Sequence, residues 1–192
     1  MKVFFFGGTF DPPHLGHEKI IDFCLDLCDK LILIPNRESP EKRYTTMTSS
    51  IHRLNMLNLL YDNEKVLLDE YELNSKETNY TYLTIQYLKE QYKSNLTMIV
   101  GYDQLINLKN WYNYKNIIDE VDILCFNREK AFTANKKIFS EIKNLKTIES
   151  FDIDVSSSSI RRKLFSSNEI NYSKILNPKV LQYINKNKLY ES

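Results

Sequence analysis

The sequence predicts an α/β domain: a doubly wound, mostly parallel sheet with helices on both faces and a small C-terminal helical part. Three observations carry this. Apolar runs rich in β-branched and aromatic residues alternate with amphipathic stretches along the 192 residues. Runs such as Val3–Phe6 and Leu31–Pro35 are continuously apolar, as in strands buried on both faces. The composition, 42% hydrophobic and 27% charged, is that of an ordinary globular chain able to bury a core.

The elements follow in order. Strands are expected at Val3–Phe6, Leu31–Pro35, Lys65–Leu68, Leu96–Val100, Val121–Phe126 and Thr147–Phe151. Helices are expected at Gly16–Cys28, Thr48–Leu60, Tyr80–Tyr92, Ala134–Leu145, Ser158–Phe165 and Pro178–Asn187. The alternation places the first strand centrally, its C-terminal end facing a ligand crevice. Nothing resembling a linker or an internal repeat divides the chain, so residues 1–192 read as one domain. The serine run Ser156–Ser159 reads either as a solvated turn or as the cap of the following helix, whose first turns carry Arg161, Arg162 and Lys163. Residues 36–48 are polar and aperiodic, the best candidate for a loop that moves over a site.

Charge and composition exclude several classes. Twenty-six Lys and Arg against 25 Asp and Glu leave a net charge of +1, too little to coat nucleic acid or an anionic membrane. The thirteen tyrosines lack the aromatic-and-basic interleaving of a single-strand binder. No apolar run approaches the roughly 18 residues of a spanning helix, and Met1–Phe6 is too short for a signal peptide. Three cysteines without zinc spacing suit a reduced, cytoplasmic protein. Cys24 and Cys28, one helical turn apart, read as packing rather than a redox pair.

The chemistry is concentrated after the first strand, in Gly7-Gly8-Thr9-Phe10-Asp11-Pro12-Pro13-His14-Leu15-Gly16-His17. Gly7 and Gly8 let backbone approach a ligand, and the prolines end strand pairing. Gly16 disfavours the helix it opens, which points to a large group approaching closely. His14 and His17 share one face of that helix's first turn, beside N–H groups suited to phosphate. The stretch has neither the Gly-x-Gly-x-x-Gly of a dinucleotide fold nor a P-loop. A zinc site would need a third ligand, and the remaining histidine, His52, reads as a surface helix residue. This motif resembles the Gly-x-Phe-x-Pro-x-His-x-x-His signature of the nucleotidyltransferase superfamily, in which it binds a nucleotide triphosphate. The resemblance implies a Rossmann-like nucleotidyltransferase fold.

Further stretches narrow the resemblance. Gly101-Tyr102-Asp103 directly follows a strand and offers a small residue and a carboxylate to ribose hydroxyls, with a helix-capping Asp103 as the lesser alternative. Trp111, the single tryptophan, can stack on a planar ring or fill core; composition alone favours core. Asn79-Tyr80-Thr81 opens a helix whose N–H groups can receive a carboxylate. Together with Trp111-Tyr112 and Val155–Arg161 these make nearly the whole chain similar to the bacterial-type nicotinate mononucleotide adenylyltransferases. The resemblance implies that Gly7, Gly8, Thr9, Phe10, His14, His17, Gly101, Asp103, Ser158, Ile160 and Arg161 bind ATP. It implies that Thr81, Trp111 and Tyr112 bind the mononucleotide, and that His14, His17, Lys42 and Arg161 carry catalysis. Mg²⁺ would arrive on the ATP phosphates, with no metal site of the protein's own. Departures are Ser39-Pro40-Glu41-Lys42, where the family often has Pro-Pro-His-Lys or Pro-Pro-His-Arg, and Arg128-Glu129-Lys130, where it often has Arg-Pro-Gly.

The expected reaction joins ATP and nicotinate mononucleotide, giving nicotinate adenine dinucleotide and pyrophosphate. Helix-end N–H groups favour the acid over the amide, because no carboxylate near the site is evident to attract an NH₂; Asp69, Glu70 and Glu72 are the candidates for one. Competing readings are another acceptor such as nicotinamide mononucleotide, a phosphopantetheine adenylyltransferase or cytidylyltransferase, and a non-catalytic nucleotide-binding regulator on the same fold. His14 and Trp111 count against the phosphopantetheine enzyme. Neither nucleic acid nor membrane is expected as a partner, and homo-oligomer formation stays open.

Overall fold

Strand β1 (Val3–Gly8) sits inside a six-stranded, all-parallel sheet of order β3-β2-β1-β4-β5-β6. The computed structural model describes residues 1–37, 48–76, 78–127, 139–149, 151, 155–165 and 171–191. The other strands are β2 (Lys30–Pro35), β3 (Val66–Leu68), β4 (Leu96–Gly101), β5 (Asp122–Phe126) and β6 (Leu145–Ile148). Strand order reverses between β1 and β4, and a parallel sheet opens a crevice at that switch point.

Side-chain alternation along each strand splits the apolar residues between two faces. Val3 and Phe5 join Ile32, Ile34, Met98 and Ile123 under helices α4 (Thr81–Tyr92) and α6 (Tyr114–Glu120). Phe4 and Phe6 join Leu31, Leu33, Ile99 and Leu124 under α1 (Leu15–Leu25). Burial on both faces explains why these strands read as unbroken apolar runs. A third cluster, Met56, Ile160, Leu176, Val180, Ile184 and Tyr190, joins α2 (Ser50–Asn58), α7 (Ser157–Phe165) and α8 (Pro178–Lys186).

Several expected boundaries shift. Helix α1 ends at Leu25, so Cys24 and Cys28 do not share a helix. Both are buried, as is Cys125. Strand β6 starts two residues early, at Leu145, because Ile123 N–H pairs with Asn144 C=O and draws that segment into the sheet. The helix expected over 134–145 therefore cannot reach its end; residues 134–138 lie outside the described residues. Between β3 and β5 the chain forms α3 (Tyr71–Asn74), α5 (Tyr102–Ile106), a 3-10 turn (Leu108–Asn110) and α6. Except for α6 these are single turns, too short to show a helical period.

Candidate active site

The sheet ends its two central strands side by side, so Gly7-Gly8 and Gly101 lie at one edge. A Cβ on Gly7 would meet nothing within 4 Å, and Gly7 lines a cavity of about 210 Å³ at the switch point. The other two glycines answer to their own neighbours: a Cβ on Gly8 would lie 3.0 Å from the Phe10 ring, and one on Gly101 would lie 2.6 Å from Asp103 Oδ1.

His14 is the N-cap of α1 rather than part of its first turn. Its Nδ1 accepts the His17 N–H at 3.3 Å, and His17 Nδ1 accepts the His14 N–H at 3.2 Å. The two rings stack with centroids 3.7 Å apart. A ring nitrogen that accepts a main-chain N–H carries no proton, so each imidazole is neutral with its proton on Nε2. The pair therefore offers oriented N–H donors. Phe10, itself buried, packs edge-on against His17 and supports it.

The C-terminal segment locks this loop. The serine run caps α7: Ser156 Oγ accepts the Ser159 N–H at 3.2 Å, and Ser159 Oγ accepts the Ser156 N–H at 3.3 Å. Ser157 donates to Pro12 C=O at 2.9 Å. Arg161 donates to Asp11 C=O at 2.6 Å, and its Nη1 lies 3.8 Å from the Asp11 carboxylate. Ser158 is exposed beside it, with Arg161 Nη2 at 3.5 Å. Ile160 is not brought to the site: its side chain is wholly buried in the C-terminal cluster and its N–H is taken by Ser156 C=O.

Arg53 was not apparent as a site residue from sequence. Buried in α2, its guanidinium donates to the main-chain carbonyls of Thr9, Asn36 and Thr48 at 2.8, 2.7 and 3.2 Å. It thus ties the motif loop to the end of β2 and the start of α2. Burial lowers its pKa, and the nearby Asp11 charge opposes the shift. The first of these partners lies 44 positions away, so no local pattern announces the role.

The cavity is lined further by Asn36, Asn79, Tyr80, Thr81, Thr84, Trp111 and Tyr112. Thr81 is the first residue of α4, where helical N–H groups have no partner within the helix. Trp111 is half-buried, with one side on core and one on the cavity. Tyr112 stands exposed, its ring centroid 4.8 Å from that of Tyr80. Asp103 lies in the first turn of α5 without capping it; its exposed carboxylate is 3.3 Å from the Gln104 amide.

One expectation is corrected here. A carboxyl group does line the cavity: Glu72, buried, with Oε1 accepting the Thr84 hydroxyl at 2.6 Å. The single turn α3 and the Asn79 side chain, which donates to Glu72 C=O at 3.0 Å, fold it under α4. Lys42 and Arg128 lie outside the described residues. Among the described residues no three His, Cys, Asp or Glu side chains are grouped to hold a metal ion, and no helix is long and apolar enough to cross a membrane.

Residues 5–163 match the family described as cytidylyltransferase-like. A probable nicotinate-nucleotide adenylyltransferase of Hydrogenobaculum sp. is 32% identical over 99% of this chain and 98% of its own. One of Leptospira borgpetersenii is 36% identical over 96% and 94%. Among solved structures, nicotinic acid mononucleotide adenylyltransferase of Plasmodium falciparum, complexed with NaAD, has the same fold at a TM-score of 0.84 and 24% identity, covering 98% of this chain and 97% of that one. The switch-point cavity and the paired histidines thus stand in a chain that belongs to the cytidylyltransferase-like family and, within it, to the nicotinate-nucleotide adenylyltransferases.

Proposed function

We propose that the protein transfers the adenylyl group of ATP to nicotinate mononucleotide, yielding nicotinate adenine dinucleotide and pyrophosphate in cytoplasmic NAD biosynthesis. The observation that carries this is the cavity joining Gly7 and Gly8 to Trp111, Tyr112 and the first turn of α4. In this reading ATP lies along Gly7–Phe10 and the histidine pair, its ribose at Gly101 and Asp103 and its phosphates at Ser158 and Arg161. The pyridine ring stacks on Trp111, and N–H groups at Thr81 and Tyr112 receive its carboxylate.

The mononucleotide's 5′-phosphate oxygen attacks the α-phosphorus, and the bond to the β-phosphate bridging oxygen breaks, that oxygen leaving with its electron pair in pyrophosphate. The second pKa of a phosphate monoester is about 6, so the nucleophile is ionised at neutral pH and needs no general base. What remains for the protein is alignment and charge stabilisation. Nε2–H groups of His14 and His17 donate to phosphate oxygens as neutral partners, and Arg161 and Lys42 supply positive charge. Arg161 is held by Asp11 C=O, which orients its guanidinium beside the motif loop. Mg²⁺ would come with the triphosphate and supply charge screening there, the described residues offering no ligand group of their own for it.

Magnesium- and ATP-dependent pyrophosphate release, measured with nicotinate and nicotinamide mononucleotides in parallel, tests the proposal. A much higher kcat/KM with the acid is expected. Release with neither, from folded protein that binds ATP, would overturn it in favour of another acceptor or a non-catalytic regulator.

A further inference from the structure

The cavity contains a carboxyl group that adenylyl transfer leaves unused. Glu72 lies on α3 and shares the cavity wall with Asn79, Thr81, Thr84, Trp111 and Tyr112. Three elements hold it. Thr84 of α4 donates to Oε1. Asn79 donates to the Glu72 main-chain carbonyl, and the Asn79 amide oxygen in turn accepts the Arg37 N–H at 3.2 Å, just past β2. With Oε1 engaged by Thr84, Oε2 is the oxygen left for a ligand.

Among the described residues no cation forms an ion pair with Glu72. Burial of a carboxyl group without such a partner favours its protonated form. Burial and the neighbouring Asp69 both push its pKa up, against the Thr84 hydroxyl.

We propose that Glu72 is a specificity-determining residue of this cavity, a neutral acid whose O–H donates to the carboxylate on the mononucleotide's pyridine ring. This rests on the reading that the cavity receives that ring. An O–H···O⁻ bond is charge-assisted and about twice as strong as a neutral one. The same O–H meets only a neutral carbonyl oxygen in the amide substrate. An ionised Glu72 would act in reverse, repelling the carboxylate and accepting from the amide NH₂. The acid form therefore adds to the discrimination made by the N–H groups at the start of α4.

The test compares kcat/KM for nicotinate and nicotinamide mononucleotides in the wild type, Glu72→Met and Glu72→Gln. Glu72→Met is expected to lower the value for the acid about tenfold while moving that for the amide less than about threefold. Glu72→Gln, uncharged and carrying an N–H donor, restores most of the acid-to-amide ratio. An unmoved ratio in Glu72→Met, or a rise in the value for the acid in Glu72→Gln, overturns the proposal. Infrared difference spectroscopy provides a readout that does not depend on turnover: wild type at neutral pH shows the band of a protonated carboxylic acid, and Glu72→Gln lacks it. Absence of that band in the wild type also overturns the proposal. Wild type active with nicotinate mononucleotide but with an unmoved ratio removes the role of Glu72 alone; wild type inactive with both mononucleotides removes the underlying reading as well.

Discussion

The phenol of Tyr190 donates a 2.5 Å hydrogen bond to Asp11 Oδ1 across 179 positions of chain. Asp11 is wholly buried, and its other oxygen accepts the Thr48 N–H at 3.3 Å. One carboxylate thus joins the motif loop, the start of α2, Arg161 and the C-terminal turn. Burial first, and the Asp11 charge second, push the Tyr190 pKa far up, so the phenol keeps its proton and donates.

Tyr190→Phe keeps the ring in its apolar cluster but leaves Asp11 Oδ1 short of a donor. A lost partner of this kind costs about 1–3 kcal/mol. In a chain of this size that is a fall in Tm of about 2–4 °C per kcal/mol, read by calorimetry. Turnover should also drop severalfold, because Arg161 leans on Asp11. Wild-type Tm together with wild-type turnover would refute this.

Arg53→Met removes the donor of three main-chain carbonyls at once. At about 1–3 kcal/mol for each carbonyl left unpaired, it should be among the most destabilising single changes in the chain. Denaturant unfolding would measure it. A change below about 1 kcal/mol would mean that water replaces the guanidinium.

The two histidines can be separated from their capping role. Asparagine is a good N-cap, so His14→Asn should keep α1 capped and Tm nearly unchanged while removing the donor proposed to hold phosphate. His17→Ala loses a donor and one arm of the reciprocal cap. Both should lose about 100- to 1,000-fold in kcat. Near-normal pyrophosphate release by either variant contradicts the assigned roles.

Cys24 and Cys125 have their pKa values pushed up to about 12 by burial, and burial also raises that of Cys28 against the pull of Lys65. Thiolate is the reactive form. Native protein at pH 8 should therefore resist alkylation, and denatured protein should label at all three cysteines, as counted by mass spectrometry. Rapid native labelling of Cys24 or Cys28 would revive a redox role for that pair.

How much was legible follows from how far each signal reaches along the chain. The parallel sheet, the central first strand and the glycine–histidine motif were readable because strand burial and a strand-to-helix turn are written in adjacent residues. Thr81 and Tyr112 were likewise marked by their place in local motifs. The reciprocal histidine cap needed backbone geometry, which decides that the rings are neutral donors. Glu72 could not be singled out from Asp69 and Glu70 because a one-turn helix carries it, and only packing shows that the Ile160 side chain faces the C-terminal cluster. Arg53, Asp11 and Tyr190 meet partners far away in the chain. The sequence by itself determined the fold class, the family and the place of the glycine–histidine motif. Tertiary structure alone decided which buried charges meet, because pairing across the chain is set by the sheet and helices that bring distant segments together.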